Sequence, residues 1–280
     1  MTQVNAIVLC SYRSTVLFLT RYITCIQRIY DDILTFEVKH MECSFSLDHY
    51  EHIIRCALEA GYVFRGFHEP SCGDSMQLFL RHDVDVSLNM ALRMAEVEAK
   101  LGVRSTYFVL PNSPIYNVLE NESIDMILQI AAMGHWIGLH IDLPKTYVMK
   151  SLTIEQVTYS MFDFFRQFLP LAPVVSFHRP SEQVFGMKLL SLVNTYEDRF
   201  FRDIKYISDS RGQWRDGCPC KILSSGEYTS VQLLIHPVWW ITQLNLEGAW
   251  DLLVKSRDKI MIEYLASNVS PFKALLSGSN

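Results

Sequence analysis

The chain has 280 residues, with 25 Lys and Arg against 30 Asp and Glu, and a formal net charge of -5. With 49% hydrophobic residues it has ample material for a packed core, which excludes disorder as its main state. The weakly acidic balance also argues against phosphate-backbone binding, which needs concentrated Lys and Arg, so nucleic acid is not an expected partner.

Residues 1–42 stand apart from the rest of the chain. The first forty contain neither Gly nor Pro, and their apolar residues follow no cap or turn punctuation. They read as an N-terminal extension, either an appended helix or sequence upstream of a start at Met41. A single domain is expected over 43–270. In the extension the best candidate for an apolar core segment, TVLFLT (Thr15–Thr20), is closed off by Arg13 and Arg21. It is too short for a signal-peptide core of ~7–15 residues, and no run of ~18 apolar residues exists to span a membrane.

From Ser46 the grammar becomes regular. SLDHYEHIIRCALEAG predicts an amphipathic helix, with Leu47, Ile53, Ile54 and Ala57 on one side and a stop at Gly61. QLFLRHD (Gln77–Asp83) predicts a strand, and the segment from Ser87 to Gly102 a helix. STYFVL (Ser105–Leu110) follows as a strand, then a helix from about Glu122 to Met133, then the strand HWIGLHID (His135–Asp142). T-I-E-Q at Thr153 is a capping box opening a helix that runs to Phe168. VVSFH (Val174–His178), KYISD (Lys205–Asp209) and VQLLIH (Val231–His236) are short apolar strands, and a long helix spans about Leu246–Ala266. Strands alternating with helices predict an α/β fold with a parallel sheet, open or closed into a barrel.

Seven cysteines are scattered along the chain without a CxxC pair. The single C-x-C, Cys218 and Cys220, has no second ligand pair near it in sequence, so neither a disulfide framework nor a zinc knuckle is expected. The cysteines read as the reduced thiols of a cytoplasmic protein.

The informative pattern lies at the strand ends. LFLRHDVD ends in Asp83 and Asp85, IGLHID in His140 and Asp142, VVSFHRP in His178 and Arg179, YISDS in Asp209, and LLIHP in His236. Ligands and catalytic groups collect at the carboxyl ends of parallel strands, where loops are free to vary. Residues two apart on a strand face the same way, so Asp83 and Asp85 share a face, as do His140 and Asp142. Two neighbouring carboxylates can divide the work, one on a metal and one as a base. His135, at the start of its strand, reads as a core residue, and His40, His49, His52 and His68 have no assigned role.

These motifs (LRHDVDVS, GHWIGLHID, SFHRPS, SDSRGQW and LLIHPVWW) resemble, in order, those of the polysaccharide deacetylase family, carbohydrate esterase family 4. The resemblance is nearest to the branch linked to bacterial surface-polysaccharide synthesis. It implies a distorted (β/α) barrel of the seven-stranded, TIM-like type, and a hydrolase that removes an N-acetyl group from a sugar. It places Asp83 as catalytic base, Asp85 and His140 on a divalent metal such as Zn, and His236 as general acid. Arg179 stands beside the place of an arginine that orients the base, and Asp209 in the motif that supports that arginine. The family's second metal histidine, four residues after the first, is here Pro144. The third ligand is then Asp142, His178 or His82, with His178 preferred, or the site is metal-free. The implied partner is a small-molecule or glycan substrate. A metal-independent amidohydrolase, or a glycan-binding protein with a degenerate site, are the alternative readings. Trp214, Trp239 and Trp240 offer flat faces for a sugar ring, or belong to the core.

Overall fold

In the computed structural model, the residues described are 43–70, 73, 75–143, 152–240 and 246–269. Pro144 and the extension 1–42 lie outside them. Eight strands form one sheet: β1 (Val63–Phe64), β2 (Gln77–Val84), β3 (Thr106–Val109), β4 (Trp136–Ile141), β5 (Leu171–Phe177), β6 (Val193–Asn194), β7 (Lys205–Ser208) and β8 (Ser230–Ile235). The order is β6-β5-β4-β3-β2-β8-β7, with β1 joined to β2, and every pairing is parallel. The helices are α1 (Leu47–Glu59), α2 (Leu88–Lys100), α3 (Asn121–Ala132), α4 (Ile154–Phe165), α5 (Asp198–Phe201), α6 (Pro219–Ser224) and α7 (Leu246–Asn268).

Local chemistry sets the helix starts. Ser46 and Ser87 accept from the backbone N–H of His49 and Met90, and Thr153 forms the predicted capping box with Gln156. After α1 the chain turns at Gly61, whose φ of 87° suits a residue without Cβ.

The sheet curls into a barrel-like half-shell. Every residue of β2 is buried, as expected for a strand covered on both faces. Leu78, Leu80, His82 and Val84 face outward. Leu78 and Leu80 pack with Tyr50, Ile53 and Ile54 of α1, and Val84 packs with Ala91 and Ala95 of α2. The alternate residues Phe79, Arg81 and Asp83 face the concave side. There Arg81 reaches Thr195 and Tyr196, which follow β6 at the far end of the strand order. Such a contact requires the sheet to bend round on itself.

The enclosed space is graded along the strands. Its floor is apolar, made of Phe67, Phe79, Phe108, Val174 and Phe200. Gly138 of β4 makes room for this plug, since a Cβ there would lie 2.4 Å from the Phe108 ring. Above the plug come Arg81 and Gln232, and then, at the carboxyl ends of the strands, the acidic and histidine side chains.

Candidate functional site

Asp83 ends the inward face of β2, and Asp85 follows two residues later, in the loop beyond the strand. His140 lies on β4, His178 just after β5, and His236 just after β8. All five line one cavity of about 840 Å³ at the barrel mouth. The strand-end pattern therefore does converge in space.

Three donor atoms form a nearly equilateral triangle. Asp85 Oδ1 lies 3.2 Å from His140 Nε2 and 3.2 Å from His178 Nδ1, and the two ring nitrogens are 3.3 Å apart. Bonds of ~2.0–2.2 Å at a tetrahedral angle would place such donors ~3.3–3.6 Å apart. A single cation would satisfy all three lone pairs at once, so these residues suit a divalent metal with nitrogen and oxygen ligands. Burial works against the Asp85 anion, but hydrogen bonds and charge from His140 and His178 hold its carboxyl well below the usual range.

Asp83 adjoins this triangle, with its Oδ2 at 3.7 Å from His140 Nε2. The same oxygen accepts a hydrogen bond from Arg81 Nη2 at 2.9 Å. Arg81 is fully buried and also donates to Thr195 Oγ1 (2.5 Å), Gln232 Oε1 (3.0 Å) and Tyr196 Oη (2.9 Å). Burial opposes its charge, but Asp83 together with Tyr196 and Tyr206 outweighs that and keeps the guanidinium protonated. The second carboxylate oxygen, Asp83 Oδ1, is buried and has no hydrogen-bond partner among the described residues.

His236 is held by Asp209. Asp209 Oδ1 lies 2.6 Å from His236 Nδ1, the backbone N–H of His236 donates to both carboxylate oxygens, and Trp240 Nε1 donates to Oδ2 at 2.9 Å. Burial alone would lower the imidazole pKa. The Asp209 hydrogen bond and the charges of Asp209, Asp83 and Asp85 outweigh it, and the ring is pushed up to about 9. At neutral pH His236 is a cation, ready to give up a proton.

The expected ligand alternatives resolve by facing. His82 points out of the barrel into the α1–α2 layer, where its Nε2 meets Glu98 Oε1 at 2.6 Å. Asp142 Oδ2 accepts from Arg179 Nη2 at 2.8 Å. His178 alone of the three candidates joins Asp85 and His140. Two expectations need correction. Arg179 does not flank the base: its side chain is 60% exposed and pairs with Asp142, and Arg81 holds Asp83 instead. Among the described residues Asp209 holds no arginine: its carboxylate is taken up by His236 and Trp240. Of the three tryptophans, Trp239 lines the cavity, Trp240 is fully buried, and Trp214 stacks on Phe45 at 5.9 Å between centroids.

Arg81 is the residue that the strand-end pattern does not pick out. A signal for it exists, since it stands two before Asp83 and shares that face by the same alternation. No family model matches the chain, and no curated protein does. Solved structures do resemble it. A family 4 carbohydrate esterase from Bacillus anthracis aligns at 14% identity over 75% of this chain and 85% of its own, with a TM-score of 0.29. The chitin deacetylase of Colletotrichum lindemuthianum gives 16%, 71%, 87% and 0.37. A family 4 acetyl xylan esterase from Clostridium thermocellum, solved with a cobalt ion, gives 12%, 65%, 83% and 0.35. Among the described residues, no helix is long and apolar enough to cross a membrane.

Proposed function

We propose that this chain is a carbohydrate N-deacetylase that hydrolyses the N-acetyl group of a sugar in surface-glycan or polysaccharide metabolism. In this reading residues 43–270 form the catalytic domain, of the polysaccharide deacetylase kind, working in the cytoplasm. The observation that carries it is the joint placement, in one cavity, of a three-donor triangle, an arginine-held carboxylate and a charged imidazole.

Asp85, His140 and His178 would hold a divalent cation, Zn being the natural choice for this donor set. When bound, the metal supplies Lewis-acid polarisation of the acetamide carbonyl and a lowered pKa for a nearby water. The remaining work belongs to the protein. Asp83, oriented through Oδ2 by Arg81, keeps Oδ1 open to take the proton of the attacking water. His236, positioned by Asp209, donates to the departing nitrogen, which is needed because an amide anion is a very poor leaving group. Trp239 gives the cavity a flat apolar wall against which a sugar ring can lie.

Metal content of protein purified without chelators tests the triangle. About one equivalent of a divalent ion is expected at the mouth, lost in His140→Ala and His178→Ala. Unchanged metal content in both variants would return the site to the metal-independent alternative. Binding of an N-acetylated glycan with no acetate released by metal-loaded protein would favour the non-catalytic one.

A further inference from the structure

A second group of metal-capable side chains lies away from the mouth, where helix α1 packs against α6. Helix α1 presents His49, His52 and Cys56, spaced i, i+3 and i+7 and so on one face. Opposite them the Cys-Pro-Cys segment places Cys218 just before α6 and Cys220 in its first turn. His49 Nε2 lies 3.3 Å from Cys218 Sγ and 3.4 Å from Cys220 Sγ. His52 Nε2 lies 3.5 Å from Cys56 Sγ, and His52, Cys56 and Cys220 form a group whose donor atoms all lie within 4.8 Å of one another. Cys220 also shares hydrogen bonds with Cys218 and with Cys56, and Cys56 and Cys220 form no disulfide.

We propose that this cluster is a second metal site, for a thiophilic divalent cation of the zinc class, with Cys220 at its centre. Its ligands would come from Cys56, Cys218, Cys220, His49 and His52: Cys220 lies 3.4 Å from His49, hydrogen-bonds with Cys218 and Cys56, and lies within 4.8 Å of His52. Around a cation with Zn–S bonds of ~2.3 Å and Zn–N bonds of ~2.0–2.1 Å, tetrahedral sulfur–nitrogen edges are ~3.5 Å, close to the three measured separations. Thiolate and imidazole together select zinc over magnesium or calcium. In sequence the C-x-C has no ligand pair near it. The fold supplies that counterpart from α1.

The site has a structural consequence for the mouth. Cys218 and Cys220 directly follow the segment whose Ser210, Arg211, Arg215 and Asp216 line the cavity. The His49 ring lies 6.2 Å from Trp240, whose indole donates to the Asp209 carboxylate that holds His236. A cation here would therefore clamp one cavity wall to α1 and steady the neighbourhood of the acid.

The test uses the full chain loaded with Co(II). The unaltered protein is expected to take up about two equivalents and to show intense thiolate-to-cobalt charge-transfer absorption. Cys218→Ser/Cys220→Ser should lose that absorption and about one equivalent, and His140→Ala/His178→Ala should lose one equivalent while keeping the absorption. The mouth offers only nitrogen and oxygen, so failure of the mouth site leaves the band untouched and failure of this one abolishes it. Absence of the band from the unaltered protein, or its persistence in the double serine variant, would overturn the proposal. Should that variant not fold, thiol labelling of the unaltered protein decides. Zn(II) should slow modification of Cys56, Cys218 and Cys220 at least tenfold, reversed by a chelator. Equal labelling with and without Zn(II), or a disulfide among the three as purified, would likewise overturn it.

Discussion

Strand β2 carries a histidine–carboxylate system on each face, and the two differ in what they leave unsatisfied. On the outer face, His82 and Glu98 are both fully buried, and Glu98 is surrounded by donors from Tyr50, Ser105 (2.5 Å) and Tyr107 (3.0 Å), with His135 at 3.3 Å. His82 also stacks on Tyr107, with centroids 4.2 Å apart. Burial opposes the Glu98 anion, but His82, His135 and Ser105 outweigh it and lower its pKa to about 2. On the inner face Asp83 has one oxygen held and one open, beside nitrogens that point at each other across the mouth. The Glu98 carboxylate has both oxygens engaged by donors, although His82 Nδ1 is buried without a hydrogen-bond partner among the described residues, whereas Asp83 keeps a carboxylate oxygen open at the mouth. Buried polar groups that are fully paired fix structure, whereas those left facing a cavity are available for chemistry.

That contrast can be broken most severely at Asp83. Asp83→Asn should lower the rate of acetate release by about 10²–10⁴, the usual worth of a general base, with the melting curve little changed. Glu98→Ala is expected to do the reverse. Leaving His82 and its neighbours buried without the carboxylate should cost about 3–5 kcal/mol in chemical denaturation, while turnover per folded molecule stays the same. A large loss of turnover in folded Glu98→Ala would erase the distinction between the faces.

The pH profile sharpens it further. A raised pKa means that His236 is protonated below about 9 and loses its acid form above it, so the rate should fall tenfold per pH unit beyond that point. Asp209→Asn removes the largest raising influence, and the alkaline limb should move down toward the ordinary histidine value of ~6.5. A limb that stays near 9 in that variant would mean another group is the acid. The smallest effect is expected at Tyr50→Phe, which deletes the hydroxyl that meets both Glu98 and His82 and should cost about 1–2 kcal/mol in the same denaturation experiment.

Much of the frame was legible because it is written locally. The capping box at Thr153, the helix start at Ser87, and the apolar runs of β2, β4 and β8 are short-range signals, and the structure places them as expected. The two-residue strands β1 and β6 and the short helices α5 and α6 were not legible, since so few residues carry no period. At the site, Asp83, Asp85, His140, His178 and His236 announced themselves by closing apolar strands. Arg81 did not, because it sits inside such a run and the acceptors that take up its other N–H groups, Thr195, Tyr196 and Gln232, are more than a hundred residues away in sequence. The Cys/His cluster was hidden for the same reason. Its halves, on α1 and beside α6, meet only through the packing of those helices.

In the proposed function the open face of β2 hydrolyses an acetamide. The most direct measurement is acetate release from a panel of N-acetylated sugars, free, carrier-linked and polymeric, by the metal-loaded full chain. One acetate per newly exposed amine, abolished in Asp83→Asn, is the result expected. No acetate from any member of the panel, by protein shown to carry metal at Asp85, His140 and His178, would contradict it.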